Sequence, residues 1–157
     1  AILEDGETFG EMSLLDEHPR SANVIAVQDS ELLVIQRQDF SAYLVSHPKV
    51  AISLLGILCR RLRLMDDMME DMRFLDIRSR LAKTLSRLAL QHGRTAGNGS
   101  IRLDLKLSQE DLGGLICATR ESVNKHLKAW EEEGVLDLSQ NGFVIHRLTE
   151  LALASGG

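Results

Sequence analysis

Residues 107–134 read LSQEDLGGLICATRESVNKHLKAWEEEG, and their spacing predicts two helices joined by a tight turn. Ser108 is placed to cap the first helix by accepting from an orphan backbone N–H. Asp111, three positions on, puts negative charge where the helix dipole is positive. Leu112, Leu115 and Ile116 form one short apolar face. Thr119 is a second N-cap candidate, followed by Arg120, Glu121 and Ser122 in the first turn. Val123, Leu127 and Trp130 then stand at i, i+4 and i+7 as a buried stripe.

Two helices crossing at about 90 to 120° must approach closely at the corner, which Gly113, Gly114 and Ala118 allow. With Val123 and Leu127 turned inward, Arg120, Glu121, Asn124, Lys125 and Lys128 face outward from the start of the second helix, with Ser122 and Lys125 as secondary readers. A DNA-recognition helix carries its base-reading and phosphate-touching side chains there. Gly134 ends this helix in the manner of a C′ glycine. Val135 to Leu138 and Phe143 to Ile145 flank Ser139, Gln140, Asn141 and Gly142, and Asn-Gly is a strong short hairpin signal. The expectation is a winged helix-turn-helix. Thr149 is read as the cap of a last short helix to Ala154.

Composition limits the reading from the other side. At 157 residues the length suits one domain or two small ones, and the net charge of −5 gives nucleic acid no general attraction. From Ser100 onward six Lys/Arg stand against nine Asp/Glu, so DNA affinity has to come from local placement of charge. Arg60 to Arg87 leans basic, with eight Lys/Arg against five Asp/Glu. Cys59 and Cys117 show no CxxC spacing and are expected as buried thiols. The five histidines lack zinc-site spacing, so no metal is expected. The longest apolar run, Ala51 to Cys59, is far short of the roughly 20 residues that span a bilayer. With no signal-peptide pattern, a cytoplasmic protein without membrane contact is expected. No GxSxG, HExxH or GxxxxGK pattern is present, and no enzyme is expected.

Ala1 to His47 reads as strands and turns. In FGEMSLLDEHPRSANV, residues 9–24, Gly10 lets the backbone come close to a ligand, Met12 to Leu15 suit one helical turn, and Pro19 stiffens the loop before Arg20. Val24 to Ile35 sets apolar residues around Gln28, Asp29, Ser30 and Glu31, as a β-hairpin would.

The run FGE, a short apolar helix, then PRSA and a Val, resembles the phosphate-binding cassette of cyclic-nucleotide-binding domains. With the helix-turn-helix downstream, nearly the whole chain resembles the bacterial cyclic-AMP receptor protein and fumarate-nitrate regulator family of transcription factors. The resemblance implies an α+β fold: part of a cyclic-nucleotide-binding β-roll over residues 1–48, a dimerisation helix and hinge over 49–75, and a winged helix-turn-helix over 76–157. It implies ligand roles for Gly10, Glu11, Arg20, Ser21 and Ala22.

Chemistry agrees with those roles. A cyclic phosphodiester exposes two oxygens, which the planar fork of Arg20 can bind with charge-assisted hydrogen bonds. Ser21 offers a hydroxyl, and the N–H groups of Ser21 and Ala22 complete an anion cradle. Glu11, an acceptor when ionised, suits a ribose 2′-OH. The family's ligand domain begins with several strands before the cassette, whereas this chain opens almost on it. A truncated protein with an incomplete pocket is therefore expected.

Lys49 to Arg73 reads as one long helix. Ala51, Leu55, Leu58, Leu62, Met65, Met69 and Met72 step by four and three, an a/d seam that favours a parallel two-stranded coil. Relatives that take cyclic AMP usually carry small hydroxyl residues about four positions beyond an Arg-Arg pair. Here Arg60 and Arg61 lead to Met65 and Asp66; a thioether serves a base edge poorly, while Asp66 can accept from an amino group. The purine therefore stays open: cAMP first, cGMP second, another ligand or none. Phe74 to Asp76 forms the joint, Asp76 caps a helix with Ile77, Leu81, Leu85 and Leu88 on its apolar face, residues 93–99 form a flexible turn, and Ile101 to Leu107 alternates as a half-buried strand.

Together these expectations describe a homodimeric, sequence-specific DNA-binding transcription regulator under cyclic-nucleotide control. It would act on a palindromic operator, with RNA polymerase as a further partner. The competing readings are a cyclic-nucleotide-sensing module of another effector and a ligand-independent regulator of the same family.

Overall fold

The computed structural model describes residues 2–3, 5–16, 18–96, 99–139 and 142–154. Two compact units divide the chain, Ala1–Leu64 and Met65–Gly157.

The first unit holds α1 (Glu11–Leu15), α2 (Arg37–Ser46) and the start of α3 (Pro48–Phe74). α1 begins at Gly10, whose φ of 76° is a left-handed conformation that glycine adopts without a Cβ penalty. The hairpin expected over Val24 to Ile35 is not formed. Ile25, Leu33 and Val34 are 80%, 92% and 82% exposed. An isolated two-stranded hairpin is marginal in water, and among the described residues of this unit no strand pairs with the segment. α2 replaces part of the expected strand-and-turn region. Its N-cap, Gln36, makes no side-chain bond, so the usual start signal is missing. Arg37 instead donates to the Ser13 carbonyl, tying α2 to α1.

α3 runs one residue beyond the expected helix at each end, and none of its residues is buried. In the first unit Leu55 and Leu62 are each 59% exposed, with Ala51 and Leu58 half-buried. From Met65 onward the helix belongs to the second unit, where Met69 and Met72 are also exposed. Cys59 lies exposed on this helix and Cys117 is exposed at a helix end, so neither is the buried thiol expected. Cys59 sits where nothing covers α3, and Cys117 has left its helix for a φ of 53°.

The second unit carries the core. α4 (Ile77–His92) starts at Asp76, whose carboxylate accepts from the Ser79 N–H at 2.7 Å, as its cap position predicts. Leu81 and Leu85 are fully buried and Leu88 nearly so, while Ile77 at the helix mouth is half-buried. β1 (Arg94–Thr95), β2 (Ile101–Leu103), β3 (Leu136–Ser139) and β4 (Gly142–Ile145) form an antiparallel sheet in the order β1-β2-β4-β3. β1 falls inside the turn expected over residues 93–99. β2 stops at Leu103, short of the expected Leu107, because the Leu107 N–H turns back to the Leu105 carbonyl. Leu103 faces Phe143 and Ile101 faces Ile145 across the β2–β4 ladder. Ser139 pairs with Gly142 at the hairpin end; Gln140 and Asn141 lie outside the described residues, so of the Asn-Gly pair only Gly142 is described.

α5 (Gln109–Ile116) and α6 (Arg120–Glu132) lie between the two halves of this sheet in sequence, and α7 (Leu148–Leu153) closes the unit. α7 starts two residues earlier than expected, with Arg147 and not Thr149 at the N-cap position, so Thr149 is inside the helix. Trp130, Leu112, Leu127, Leu136, Ile145 and Leu151 share the core with α4.

Candidate nucleic-acid interface and effector cassette

α5 and α6 build the helix-turn-helix. Ser108 and Asp111 form a reciprocal capping box: the Ser108 hydroxyl accepts from the Asp111 N–H, and the Asp111 carboxylate accepts from the Ser108 N–H at 2.8 Å. The Asp111 carboxyl is held below its usual range, first by the Ser108 hydroxyl, which donates to it at 2.6 Å, and then by that N–H. The turn depends on Cys117 in the left-handed region and on Gly113, whose Cβ, were there one, would lie 2.6 Å from the Ala118 carbonyl oxygen. Gly114 has open space around it and is not needed for the close approach.

Thr119 caps α6 by accepting from the Ser122 N–H at 3.3 Å. Val123 and Leu127 are fully buried and Trp130 is 1% exposed, which fixes the rotation of α6. Arg120, Glu121, Lys125 and Lys128 are therefore exposed, with Ser122 and Asn124 half-buried. Glu121 is held below the usual carboxylate range by its own backbone N–H and then by the Thr119 hydroxyl, so it stays an ionised acceptor. At the far end the Val135 N–H bonds to the Trp130 carbonyl and the Gly134 N–H to the Glu131 carbonyl, a Schellman closure that uses the φ of 67° at Gly134.

Sequence reasoning missed two supports of α6. Gln109 donates to the Asn124 side-chain oxygen at 3.1 Å. Arg78 lies 5.3 Å from the Trp130 ring centre and binds both Glu133 oxygens, at 2.8 and 3.1 Å. Neither has a local pattern; each joins residues far apart in the chain. His126, on the half-buried side of α6, has its pKa lowered by burial and then by the positive charges of Arg78 and Lys125, against a smaller opposing effect of Asp76.

In the first unit the cassette comes together in part. The Arg20 guanidinium lies against Gly10, filling the space a Cβ at Gly10 would take. Arg20 has no ion-pair partner among the described residues. Glu11 is 5% exposed; its Oε1 accepts from Arg61 at 2.5 Å, while its Oε2 is buried with no partner among the described residues. Arg61 also donates to the Thr8 carbonyl. Arg61 was noticed only as half of an Arg-Arg pair, since a contact fifty residues away leaves no mark on spacing. Ser21 and Ala22 follow Arg20 at an exposed bend, and Met65 and Asp66 are exposed on α3 in the second unit. A buried carboxylate oxygen without a partner can accept a hydrogen bond, and a guanidinium can bind an anion's oxygens. Among the described residues no three metal-ligating side chains converge, and no single helix is long and apolar enough to cross a membrane.

Residues 79–154 match the Crp-like helix-turn-helix domain family, and residues 1–47 match the cyclic nucleotide-binding domain family. Among curated proteins, the chain is 41% identical to the cyclic AMP receptor protein of Thermus thermophilus over 88% of this chain and 60% of that protein. It is 30% identical to the CRP-like cAMP-activated global transcriptional regulator of Mycobacterium tuberculosis over 96% of this chain and 67% of that protein. Among solved structures, a CooA mutant from Carboxydothermus hydrogenoformans superposes with a TM-score of 0.67 at 25% identity, covering 76% of this chain and 55% of that one. The chain thus spans about 60 to 69% of the length of the curated relatives it matches.

Proposed function

Since this chain belongs to the cyclic-AMP receptor protein and fumarate-nitrate regulator family of transcription regulators, we propose that it acts as a homodimeric, sequence-specific DNA-binding regulator controlled by a cyclic nucleotide. The observation that carries the reading is the start of α6, where Arg120 and Glu121 stand exposed over a fully buried Val123 and Leu127. A rigid helix with its first turn free is the geometry that enters a major groove. Arg120 binds guanine through O6 and N7, and Glu121, kept ionised, accepts from cytosine N4. Ser122, Asn124 and Lys125 are secondary readers. Ser108, Thr119 and Lys128 serve the phosphates.

The α3 seam supports the dimer, because a single chain leaves Leu55, Leu62, Met65 and Met69 between 59% and 69% exposed. Pairing with a copy would bury that row. A two-fold dimer sets its recognition helices about 34 to 36 Å apart, so the operator is palindromic. On this reading residues 1–48 belong to the effector domain, 49–75 to the dimer helix and hinge, and 76–157 to the DNA-binding domain. The protein works in the cytoplasm, with RNA polymerase as a further partner.

For the effector, Arg20 with the N–H groups of Ser21 and Ala22 would hold the phosphate, and the free Glu11 Oε2 would accept from the ribose 2′-OH. Met65 and Asp66 are the candidates for the purine. Because Met65 offers no hydroxyl, cGMP is tested beside cAMP. An electrophoretic mobility shift with a palindromic duplex, run without ligand and with cAMP or cGMP, tests both parts. A shift strengthened 5- to 150-fold by one nucleotide is expected. No shift on any selected duplex removes the DNA reading, and equal shifts under all conditions remove the ligand reading alone.

A further inference from the structure

Within the second unit, the end of α3, one face of α4 and the α5–α6 turn line a half-open cavity of about 60 Å³. Arg80, Lys83 and Arg87 line it from α4, at i, i+3 and i+7 on one helix face, together with Thr84, Asp71 and Cys117. Asp71 binds Lys83 at 2.7 Å. Three cations therefore meet one carboxylate, and Arg80 and Arg87 have no ion pair among the described residues. The Arg80 Nε is buried without an acceptor. Buried donors in folded proteins are nearly always satisfied, so this donor calls for an acceptor.

The size of the cavity decides what that acceptor is. A nucleotide pocket needs about 300 Å³ or more, so this space is separate in kind from the cassette. It is several times the roughly 10 to 15 Å³ that one water requires. Water alone would satisfy Arg80 and leave the surplus positive charge uncompensated. A small tetrahedral oxyanion does both, offering several acceptors to two guanidinium forks, an ammonium and the Thr84 hydroxyl.

We propose that this cavity is a binding site for phosphate as the dianion, either inorganic or at the end of a small monoester. Bound there, the anion joins α3 to α4 and to the turn that leads into Thr119 and Arg120. Phosphate would then be a second input to the DNA-reading helix, a consequence that rests on the function proposed above. The binding itself does not, and its test contains no DNA.

The full chain is titrated with inorganic phosphate, and in a second arm with methyl phosphate, in chloride buffer of matched ionic strength. Melting temperature and amide NMR shifts of residues 80–87 and 115–117 are followed. A saturable rise of about 5 to 10 °C near ten-fold excess over Kd is expected, with shifts confined to those residues. Arg87→Gln, at an exposed position, should keep the fold and weaken binding about ten- to hundred-fold, and Arg80→Gln should do the same. Response to both probes indicates a site open to monoesters; response to phosphate alone restricts it to the inorganic ion. An unsaturable rise of equal slope in wild type and Arg87→Gln, as surface exclusion of a salt produces, overturns the proposal. So does the absence of any response.

Discussion

Gln109, the first residue of α5, donates its side-chain N–H to the Asn124 side-chain oxygen in the second turn of α6, at 3.1 Å and partly shielded from water. The bond holds the Asn124 amide in one orientation on the outward side of the helix, and a base-reading group gains from being held before it meets its target. Gln109→Ala should weaken operator binding by about 1 kcal/mol and broaden the base distribution at one position. Binding-site selection reads both effects, and an unchanged distribution would show that Asn124 does not read a base.

Arg120 and Lys128 should differ in kind. Arg120→Ala is expected to cost about 1 to 3 kcal/mol and relax a single base position. Lys128→Ala should weaken all sequences alike and lower the salt dependence by about one unit of slope. Unaltered selectivity with Arg120→Ala refutes its assignment.

Two neighbouring glycines make opposite predictions. A Cβ at Gly113 would sit 2.6 Å from the Ala118 carbonyl oxygen, and backbone cannot swing aside as a side-chain tip can. Gly113→Ala should destabilise by about 1 to 3 kcal/mol. Gly114 meets nothing within 4 Å, so Gly114→Ala should stabilise by about 0.5 to 1 kcal/mol, because alanine favours the helix interior. Urea denaturation of the pair is the check.

Acid should weaken the second unit in two windows. The folded pKa of His126 lies below its ordinary 6.5, so the unfolded chain takes up a proton first. Its contribution is complete above pH 6.5 and is lost as pH falls through the folded value. The carboxyls of Asp76 and Asp111 lie below their ordinary 3.8, for Asp76 mainly through the Ser79 N–H, so their contributions are lost only at lower pH. His126→Gln should flatten the melting-temperature slope below pH 6.5 and leave the lower window in place. Asp76→Ala should remove about 0.5 to 2 kcal/mol at neutral pH. An unchanged slope in His126→Gln would put the titration elsewhere.

The α3 seam is tested by charge. Leu62→Glu combined with Met69→Glu sets like charges on the row that a partner would cover, and the protein should sediment as a monomer with the second unit's near-UV signal from Trp130 intact. A dimer that survives both substitutions would place the interface on another face.

What could be read from residue order was what local rules govern. Ser108, Thr119 and Asp76 cap helices because capping is settled within three residues, and Val123, Leu127 and Trp130 turn inward because helical period sets one face. Val24 to Ile35 has the pattern of a hairpin, yet pairing needs neighbours that a pattern does not supply. Cys59 and Cys117 were misplaced because a small apolar side chain suggests burial only where something covers it. The Arg61–Glu11 pair, the Arg78–Glu133 pair and the Gln109–Asn124 bond join residues distant in sequence. They follow from packing, which residue order alone does not encode in any short window.

Among the described residues, every large side chain sealed completely from water belongs to the second unit, from Leu81 to Leu151. A reading head that carries its own keel keeps its shape whatever happens upstream. On the function proposed above, evolution could exchange the sensor without rebuilding the part that meets the genome, and a signal would have only to set the distance between two finished tools.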